Sequence, residues 1–554
     1  MIEAPILLRR LVFLALAIAI MGGLFGLAWV ILAPGGWTLA EILILICFTG
    51  TLPWAALSLG NGLTGFIILL FSRDPVMAVL PVLRDLRANT PRSQTAIAIC
   101  IRREDMALVL PPLARLLSGL AAAGAADRFS LWFLSDTPEG AEAVTEEAAC
   151  RAFAAAQPIA THYRRRVENT GFKAGNVMDF MDHHAGAHDF MLCLDADSEM
   201  TADAVLRLVA CMEADPKLAI LQQLIHGRPA AAAFPRLFQF GMRQGMRSWA
   251  TGQAWWQGDE GPYWGHNALI RIAPFRTHAR LERLPDGAHI LSHDQVEATR
   301  LHAAGWKVRV LPDDTGSHEG NPPSYNDFIT RDLRWAAGNM QYLALLRLPG
   351  LTTMARWQLI QAILLFLSAP FYVAILCLTI WNGLSGGGDT TPMGLLLALL
   401  CAAWFCHYAA KLFGYAEVLL KPGLAQHYGG RGLFLRGVFA ELLFTFFMEP
   451  ARLMTQCLFL LALPLGVKIG WAPQNRTDRG ISFADAARQF WPPSLAGLAL
   501  ACSYAWLSWS AFLLLLPVII SLIGVIPFAV ITAHPGFSAW LRTRQICALP
   551  EELR

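Results

Sequence analysis

Three short motifs in this chain have the residue types and spacing to do chemistry. Asp195-Ala-Asp197 follows the apolar run Phe190–Leu194. Two carboxylates at i and i+2 where a strand ends can both address one ion as the chain turns, and Mg2+ takes one or two carboxylates together with phosphate and water. Ser292-His293-Asp294-Gln295-Val296-Glu297 sets a lone Asp before a helical stretch that runs to Ala304. A sugar hydroxyl is a poor nucleophile. One carboxylate on the acceptor side can take its proton in an inverting transfer, with no covalent intermediate. Arg331-Asp332-Leu333-Arg334-Trp335 puts Arg331 and Arg334 three apart, on one face of a helix. Arg334 can pair with phosphate through its fork of donors, and Trp335 offers a flat apolar face to a sugar ring.

Further residues extend this set. Asp136, in Leu134-Ser135-Asp136-Thr137, ends another strand-like run and can accept a hydrogen bond from a uracil or ribose. Lys173 precedes Ala174-Gly175-Asn176, a cation beside a glycine that permits close approach to a diphosphate. Gly265-His266-Asn267 follows Tyr263-Trp264 and can form a floor under an acceptor sugar. Each piece also has an ordinary structural reading. Asp caps helices and fills turns, and Arg with Trp forms belts at membrane surfaces. His293 reads as a structural hydrogen-bonding residue, and Tyr163-Arg164-Arg165-Arg166 as a solvated or lipid-facing basic edge.

The elements that must hold these residues are of two kinds. Of 554 residues, 55% are hydrophobic and 15% charged, the balance of a membrane protein with a water-soluble part. The net charge of +3 and the absence of a basic run interleaved with aromatics exclude a nucleic-acid groove. The eleven Cys are scattered without metal-type spacing, as expected of small buried residues in a reducing compartment. Apolar runs of spanning length lie at roughly 11–33, 39–71, 357–382 and 393–420, and 494–534 is long enough for two passes, giving six spans. The first run, behind Arg9 and Arg10, is too long for a signal-peptide core and reads as a retained anchor. Arg9, Arg10, Arg73, Arg84, Arg87 and Arg92 place the N-terminus and the large soluble segment in the cytoplasm, and Arg542 and Arg544 place the C-terminus there too.

The expected organisation is then two transmembrane helices in 1–72, a cytoplasmic domain in 73–350, two transmembrane helices in 351–436, interface helices or a short hairpin with a loop in 437–493, and two transmembrane helices with a short tail in 494–554. Glu441, Glu449 and Arg452 interrupt 437–467, which favours helices lying at the cytoplasmic interface; two short crossings there would make eight spans. The soluble segment reads as α/β. Strand-like runs at 95–101, 130–134, 190–194, 218–221 and 307–311 alternate with Ala-rich helical stretches, which predicts a mostly parallel sheet covered on both faces.

Asp-x-Asp, Asp-x-x-Glu about a hundred residues on, and Arg-x-x-Arg-Trp, all between membrane spans, resemble the membrane-embedded family 2 inverting glycosyltransferases such as cellulose and hyaluronan synthases. Asp195–Ser198, Tyr263–Asn267 (YWGHN), Ile290–Asp294 (ILSHD), Gly316–Pro323 (GSHEGNPP) and Arg331–Asn339 (RDLRWAAGN) narrow the resemblance to the glucans biosynthesis glucosyltransferase H family, over about 70 to 554. That resemblance implies an α-helical integral membrane protein with an inserted cytoplasmic GT-A-like glycosyltransferase domain. It also implies UDP-glucose as donor, Mg2+ or Mn2+ as cofactor, and a growing β-1,2-linked glucan, the backbone of osmoregulated periplasmic glucans, passed across the bacterial inner membrane. Asp136 would contact the uridine. Lys173, Asp195 and Asp197 would hold diphosphate and metal, Asp294 the acceptor hydroxyl, and Arg334 and Trp335 the pyrophosphate and acceptor. Trp471–Arg479 matches the position of a gating loop in related synthases, with Asn475 and Arg476 closing over UDP.

A periplasmic glucan-processing protein and acyl carrier protein are partners implied by the resemblance alone. Members with long cytoplasmic tails make contacts not expected of this chain, which has about ten residues before its first span and about twenty after its last. The motif's first position is often Gln in polymer synthases and is Arg331 here. Trp381 and Trp404 are candidates to line a sugar path. The alternatives are another β-polysaccharide synthase of the cellulose type, or a transporter with a sugar-nucleotide-sensing domain. If Asp197 ligates a cation between protein and UDP, Asp197→Ala abolishes activity and weakens UDP binding in Mg2+. Equal activity in excess EDTA and in Mg2+ would contradict this.

Overall fold

Two apolar helices open the chain in the computed structural model, which describes residues 4–86, 90–467 and 479–553. Helix α1 spans Ile6–Leu32 and α2 spans Leu39–Phe71. The turn between them is short because Thr38 starts α2 at once. Its hydroxyl accepts from the Glu41 N–H while the Glu41 carboxylate accepts from the Thr38 N–H, so two otherwise orphaned donors are satisfied.

The α/β domain follows. Strands β1 (Thr95–Ile101), β2 (Phe129–Ser135), β3 (Thr161–Arg165), β4 (Phe190–Asp195), β5 (Leu218–Gln223), β6 (Ala268–Arg271) and β7 (Lys307–Leu311) form one sheet in the order β3-β2-β1-β4-β6-β5-β7. All its pairings are parallel except the two made by β6. Strands β1, β4 and β5 are near-continuously buried because helices cover both faces of the sheet. Two strands escape the sequence pattern: β3, THYRR, is a half-buried polar edge, and β6 is only four residues long. The register aligns Cys100 with Asp195 and Ile101 with Ser135, so β4 and β2 deliver Asp195 and the next residue, Asp136, to one edge of the sheet. Ligands bind at that carboxyl edge in open α/β sheets. A small second sheet pairs Ser317–Glu319 with Glu199–Met200 and with His226–Gly227.

Four helices of the domain matter for the site: α3 (Phe172–His183), α4 (Ala233–Gln257), α5 (Asp294–Ala303) and α6 (Tyr325–Met340). After them come α7 (Thr353–Leu384), α8 (Met393–Leu420), α9 (Arg431–Ala462), α10 (Phe483–Leu507), α11 (Trp509–Ile523) and α12 (Val525–Thr532). Among the described residues, α1, α2, α7 and α8 are long and apolar enough to cross a membrane, and α11 with α12 adds a fifth if that pair, bent by 53°, is one broken span. Helix α10, the candidate for the expected sixth span, is not among these by length and composition. Helix α10 begins at Phe483 with Asp485 and Arg488 in its first turns, and the chain bends at Gly524. Nor does 437–467 break into short pieces. Most of it belongs to the single helix α9, whose charges are paired inside the helix bundle: Lys411 Nζ lies 2.6 Å from Glu441 Oε1, and Arg452 Nε lies 3.1 Å from Glu449 Oε2.

Helix α4 docks the domain on these helices by direct backbone contact. A Cβ on Gly65 of α2 would stand 1.8 Å from the Ser248 carbonyl oxygen, and one on Gly414 of α8 2.4 Å from that of Gln244. On α4 itself, a Cβ at Gly252 would stand 2.1 Å from the Asn61 carbonyl oxygen. Small residues let helices approach this closely. Polar contacts reinforce the seam. Trp256 Nε1 donates to Asn61 Oδ1 at 2.8 Å, Trp256 stacks on Phe13 at 4.3 Å, and Arg247 pairs with Glu417 at 3.1 Å. Gly65→Ala therefore destabilises the protein by about 1–3 kcal/mol, the usual cost of overpacking, and lowers its thermal midpoint in detergent. Gly22→Ala, whose Cβ would meet nothing within 4 Å, leaves the midpoint unchanged or slightly raised.

Candidate active site

Asp136 and Asp195 both reach the carboxyl edge of the sheet already paired with a cation. Arg166 clasps Asp136 with two donors, Nε to Oδ1 at 2.7 Å and Nη2 to Oδ2 at 2.8 Å, and both side chains are more than nine-tenths buried. This corrects the reading of Arg166 as a solvated edge: the last of the three arginines turns inward because β3 lies beside β2. Lys173, in the first turn of α3, pairs with Asp195 and donates to the Gly265 carbonyl at 2.8 Å. Burial works against its charge, but Asp195 outweighs that and holds the ammonium well above the usual lysine range. Asp195 closes a tight turn in which the Ser198 N–H donates to its carbonyl at 3.0 Å and its own N–H donates to Ser198 Oγ at 3.0 Å. The turn aims Asp197 toward Gly320, where a Cβ would stand 3.4 Å from Asp197 Oδ2.

Asp294 faces this group from α5. A Cβ at Gly265, whose φ is +85°, would stand 3.7 Å from Asp294 Oδ2 and 3.8 Å from Lys173 Nζ. Gly265 thus stands between the Asp294 carboxylate and the Lys173 ammonium. Asp294 is the first residue of α5, His293 is its N-cap, and that cap makes no side-chain hydrogen bond. Asp294 is therefore not the N-cap residue, although its carboxylate accepts from the Gln295 N–H at the start of the helix. Burial raises its pKa, against the pull of His293. His293 Nδ1 lies 2.9 Å from Glu297 Oε2, a buried carboxylate one turn on, which orients the ring.

Helix α6 closes the third side. A Cβ on its Gly338 would stand 2.3 Å from Ser292 Oγ, so this glycine lets α6 press against the Asp294 loop, where Tyr342 also donates to the Ser292 carbonyl at 2.8 Å. Arg331, Arg334 and Trp335 line the same cleft as Asp136, Lys173, Asp195, Asp197 and Asp294. The Arg331 guanidinium sits 4.7 Å from the centre of the Trp335 ring. Burial lowers its pKa, while Glu319 and Asp197 raise it, which sets Arg331 among those carboxylates. Glu319, from the small sheet, is 3.4 Å from His266 Nε2, and burial pushes its pKa up. His266 Nδ1 lies 3.3 Å from Ser198 Oγ, so His266 supports the Asp195–Ser198 turn while Gly265 and Trp264 form wall.

The sequence-predicted residues do not all meet. Asn267 is fully buried outside the cleft. It adopts φ +48°, a conformation Asn tolerates, and its amide donates to Ser317 Oγ at 3.0 Å, tying β6 to the small sheet. Asn475 and Arg476 lie outside the described residues. Trp381 and Trp404 are exposed on the outside of the helices and do not line the cleft. Glu297 and Glu319 were not assigned a role from sequence, and Arg166 was read as a basic edge. Only the Asp294-x-x-Glu297 spacing and the GSHEGNPP segment signalled any of them. The donor set at the turn suits a hard cation: the carboxylates of Asp197 and Asp195 provide oxygen ligands. Among the described residues no group of three His, Cys, Asp or Glu side chains comes together that could hold a metal ion.

The cleft does not stop at the sheet. A single cavity of about 740 Å³ runs from Asp136 and Lys173 past Asp294 and Trp335 to Trp54 of α2 and Phe366 of α7. Phe366 lies thirteen residues into α7, about 20 Å along its axis.

Residues 98–278 match Glycosyl transferase family 2, and residues 190–413 match Glycosyl transferase family group 2. Together with the GT-A-like domain inserted among apolar helices, they define a membrane-associated glycosyltransferase. The chain is 31% identical to the glucans biosynthesis glucosyltransferase H of Xylella fastidiosa over 95% of its own length and 85% of that protein's. It is 32% identical to the protein of that name from Rhodopseudomonas palustris over 95% and 75%, and 31% identical to that from Caulobacter vibrioides over 94% and 82%. Among solved structures it is similar to a mannosyltransferase from Pyrobaculum calidifontis in complex with GDP-Man and Mn2+, at 14% identity and a TM-score of 0.41 over 67% of this chain and 99% of that one. The chain belongs to the glucans biosynthesis glucosyltransferase H family and is a hexosyltransferase of glucan synthesis.

If Asp294 is the base, Asp294→Asn keeps the shape of the side chain and removes that base, and glucan synthesis falls by roughly 10²–10⁴-fold, the usual range for a positioned acid or base, while donor binding survives. Because burial raises the Asp294 pKa, the wild-type rate falls on acidification through a limb above the ordinary Asp range. Near wild-type synthesis by the variant on the same preparation would move the base elsewhere.

Proposed function

We propose that the cleft takes UDP-glucose in the presence of Mg2+ or Mn2+ and adds glucose to the end of a β-1,2-linked glucan, which leaves through the membrane helices. The observation that supports this reading is the single cavity joining Asp136 at one end to Phe366 at the other, with Asp294 between them. Asp136, fixed by Arg166, accepts from the uridine. Lys173, Arg334 and Arg331 face the diphosphate, and Trp335 and Trp264 bracket the acceptor sugar. Asp197, with Asp195, would hold the cation, which supplies positive charge to the leaving diphosphate.

Asp294 takes the proton of the acceptor hydroxyl as that oxygen bonds to the glucose anomeric carbon. The bond from that carbon to the UDP phosphate oxygen breaks, UDP leaves with the electron pair, and the configuration inverts. Burial of Asp294 makes its carboxylate a stronger base than a solvated one. In this reading the domain lies on the cytoplasmic side of the inner membrane, because Arg9, Arg10, Arg73 and Arg84 flank the first two spans there.

The test is turnover by purified protein. UDP-glucose with Mg2+ should yield free UDP and a polymer whose linkage analysis gives β-1,2 bonds. A β-1,4 product would replace the linkage with that of a cellulose-type synthase. No UDP release from UDP-glucose, with turnover of a different sugar nucleotide, would overturn the donor.

A further inference from the structure

Arg166 grips the Asp136 carboxylate, but the backbone of Asp136 is held from behind. Its N–H donates to the Ile101 carbonyl at 2.9 Å. The residues on either side, Ser135 and Thr137, are buried, and both hydroxyls donate to Glu146: Ser135 Oγ to Oε1, and Thr137 Oγ1 to Oε2 at 2.6 Å. Side chains alternate along extended chain, so Asp136 faces the cleft while its two neighbours turn toward the helix Ala141–Ala155, which carries Glu146. Glu146 is 4% exposed and does not line the cleft. Tyr163 of β3 donates to the same carboxylate at 3.0 Å. Thr137 extends the network, because its Oγ1 accepts from the Arg103 N–H at 2.8 Å. Arg103 has φ +56°, a left-handed conformation uncommon outside glycine, and Arg102 and Glu104 beside it line the cleft. One carboxylate thus ties the ends of β1, β2 and β3 together beneath the part of the cleft that Asp136 lines. A buried carboxylate is costly, and three charge-assisted hydrogen bonds offset that cost. A glutamine there would offer one acceptor oxygen to three hydroxyl donors.

We propose that Glu146 is a positioning residue for the sugar-nucleotide site: it fixes the backbone of Ser135–Thr137, and through it the aim of Asp136 at the nucleoside. The inference rests on the reading of Asp136 as the uridine contact. Arg166 and Glu146 have separate parts in this. Arg166 binds both oxygens of the Asp136 carboxylate, and its own N–H donates to the Ser135 carbonyl at 3.1 Å, so it sets where that side chain ends. Glu146 sets where it begins. Because Glu146 lies behind the cleft wall, it acts on nucleotide binding and not on the transfer at Asp294. A loosened Ser135–Thr137 segment therefore weakens UDP and UDP-glucose alike, and leaves turnover at saturating donor almost as it was.

The experiment measures UDP binding, and KM and kcat for UDP-glucose, on the full chain in nanodiscs. Glu146→Gln and Thr137→Val each keep the size of the side chain and break the link. Each should weaken UDP binding and raise KM by about tenfold, in line with the loss of a hydrogen bond to a charged group, while kcat stays within about twofold. The decisive comparison is a double-mutant cycle, because residues that act through one another are not additive. In an Asp136→Ala background, which itself binds UDP more weakly, Glu146→Gln and Thr137→Val should each cost no more than about a further twofold. Where Glu146→Gln does not accumulate as folded protein, Thr137→Val carries the same comparison. Wild-type UDP affinity and KM in the single variants would overturn the inference. So would a tenfold loss that persists in the Asp136→Ala background, which is the mark of a residue that only holds the fold. Both of those results leave Asp136 as the uridine contact. Wild-type UDP affinity in Asp136→Ala would overturn that reading, and the inference with it.

Discussion

The backbone contact of α4 with α2 and α8 is the constraint on which the rest of the molecule depends. At Gly65, Gly252 and Gly414 no side chain could stand between the helices. The amphipathic helix that leaves β5 and returns to β6 is thereby fixed against two membrane helices. The cavity at the carboxyl edge of the sheet is in turn lined by Trp54 of α2 and Phe366 of α7. Helix α6 fills the remaining side, held against the Asp294 loop by Gly338 and against α9 by the Asp332–Gln456 hydrogen bond. A looser seam would still give a folded α/β domain. It would not give one cavity shared by the sheet edge and the membrane helices.

Charge is graded along that cavity. At the sheet edge each early carboxylate is matched: Asp136 by Arg166 and Asp195 by Lys173, with Arg331 and Arg334 opposite. This arrangement suits a dianionic diphosphate, and ion pairs already formed need little reorganisation when it arrives. Asp294 stands apart. Its neighbours are a histidine and a buried Glu297, and its raised pKa follows from burial. Beyond it Arg452 stands between Asp332 and Glu449.

Much of this was legible in the sequence, for physical reasons. Central strands such as β1 and β4 are apolar on both faces and stand out. Asp195-Ala-Asp197 must follow β4 because carboxylates are stable only where the strand leaves the core. What stayed hidden follows equally from physics. Strand β3 pairs on one side only, so its sequence THYRR looks like a loop, and Arg166 at its end could not be seen to reach Asp136. Asn267 was grouped with Gly265 and His266, yet its left-handed backbone turns its amide into the protein. At 494–534 Pro-rich apolar sequence can bend as well as cross, and α11 and α12 meet at 53°. In 437–467, Glu441 and Arg452 are met by Lys411 and Asp332 from other helices, partners that no single segment reveals.

The central claim is that the sheet-edge site and the membrane arm are one path. The most direct measurement uses the purified chain in sealed vesicles with the catalytic domain outward, supplied externally with labelled UDP-glucose and Mg2+. The account predicts UDP outside and labelled glucan in the lumen, protected from an added β-glucanase until the vesicles are opened. Full turnover with all glucan outside and digestible would contradict it.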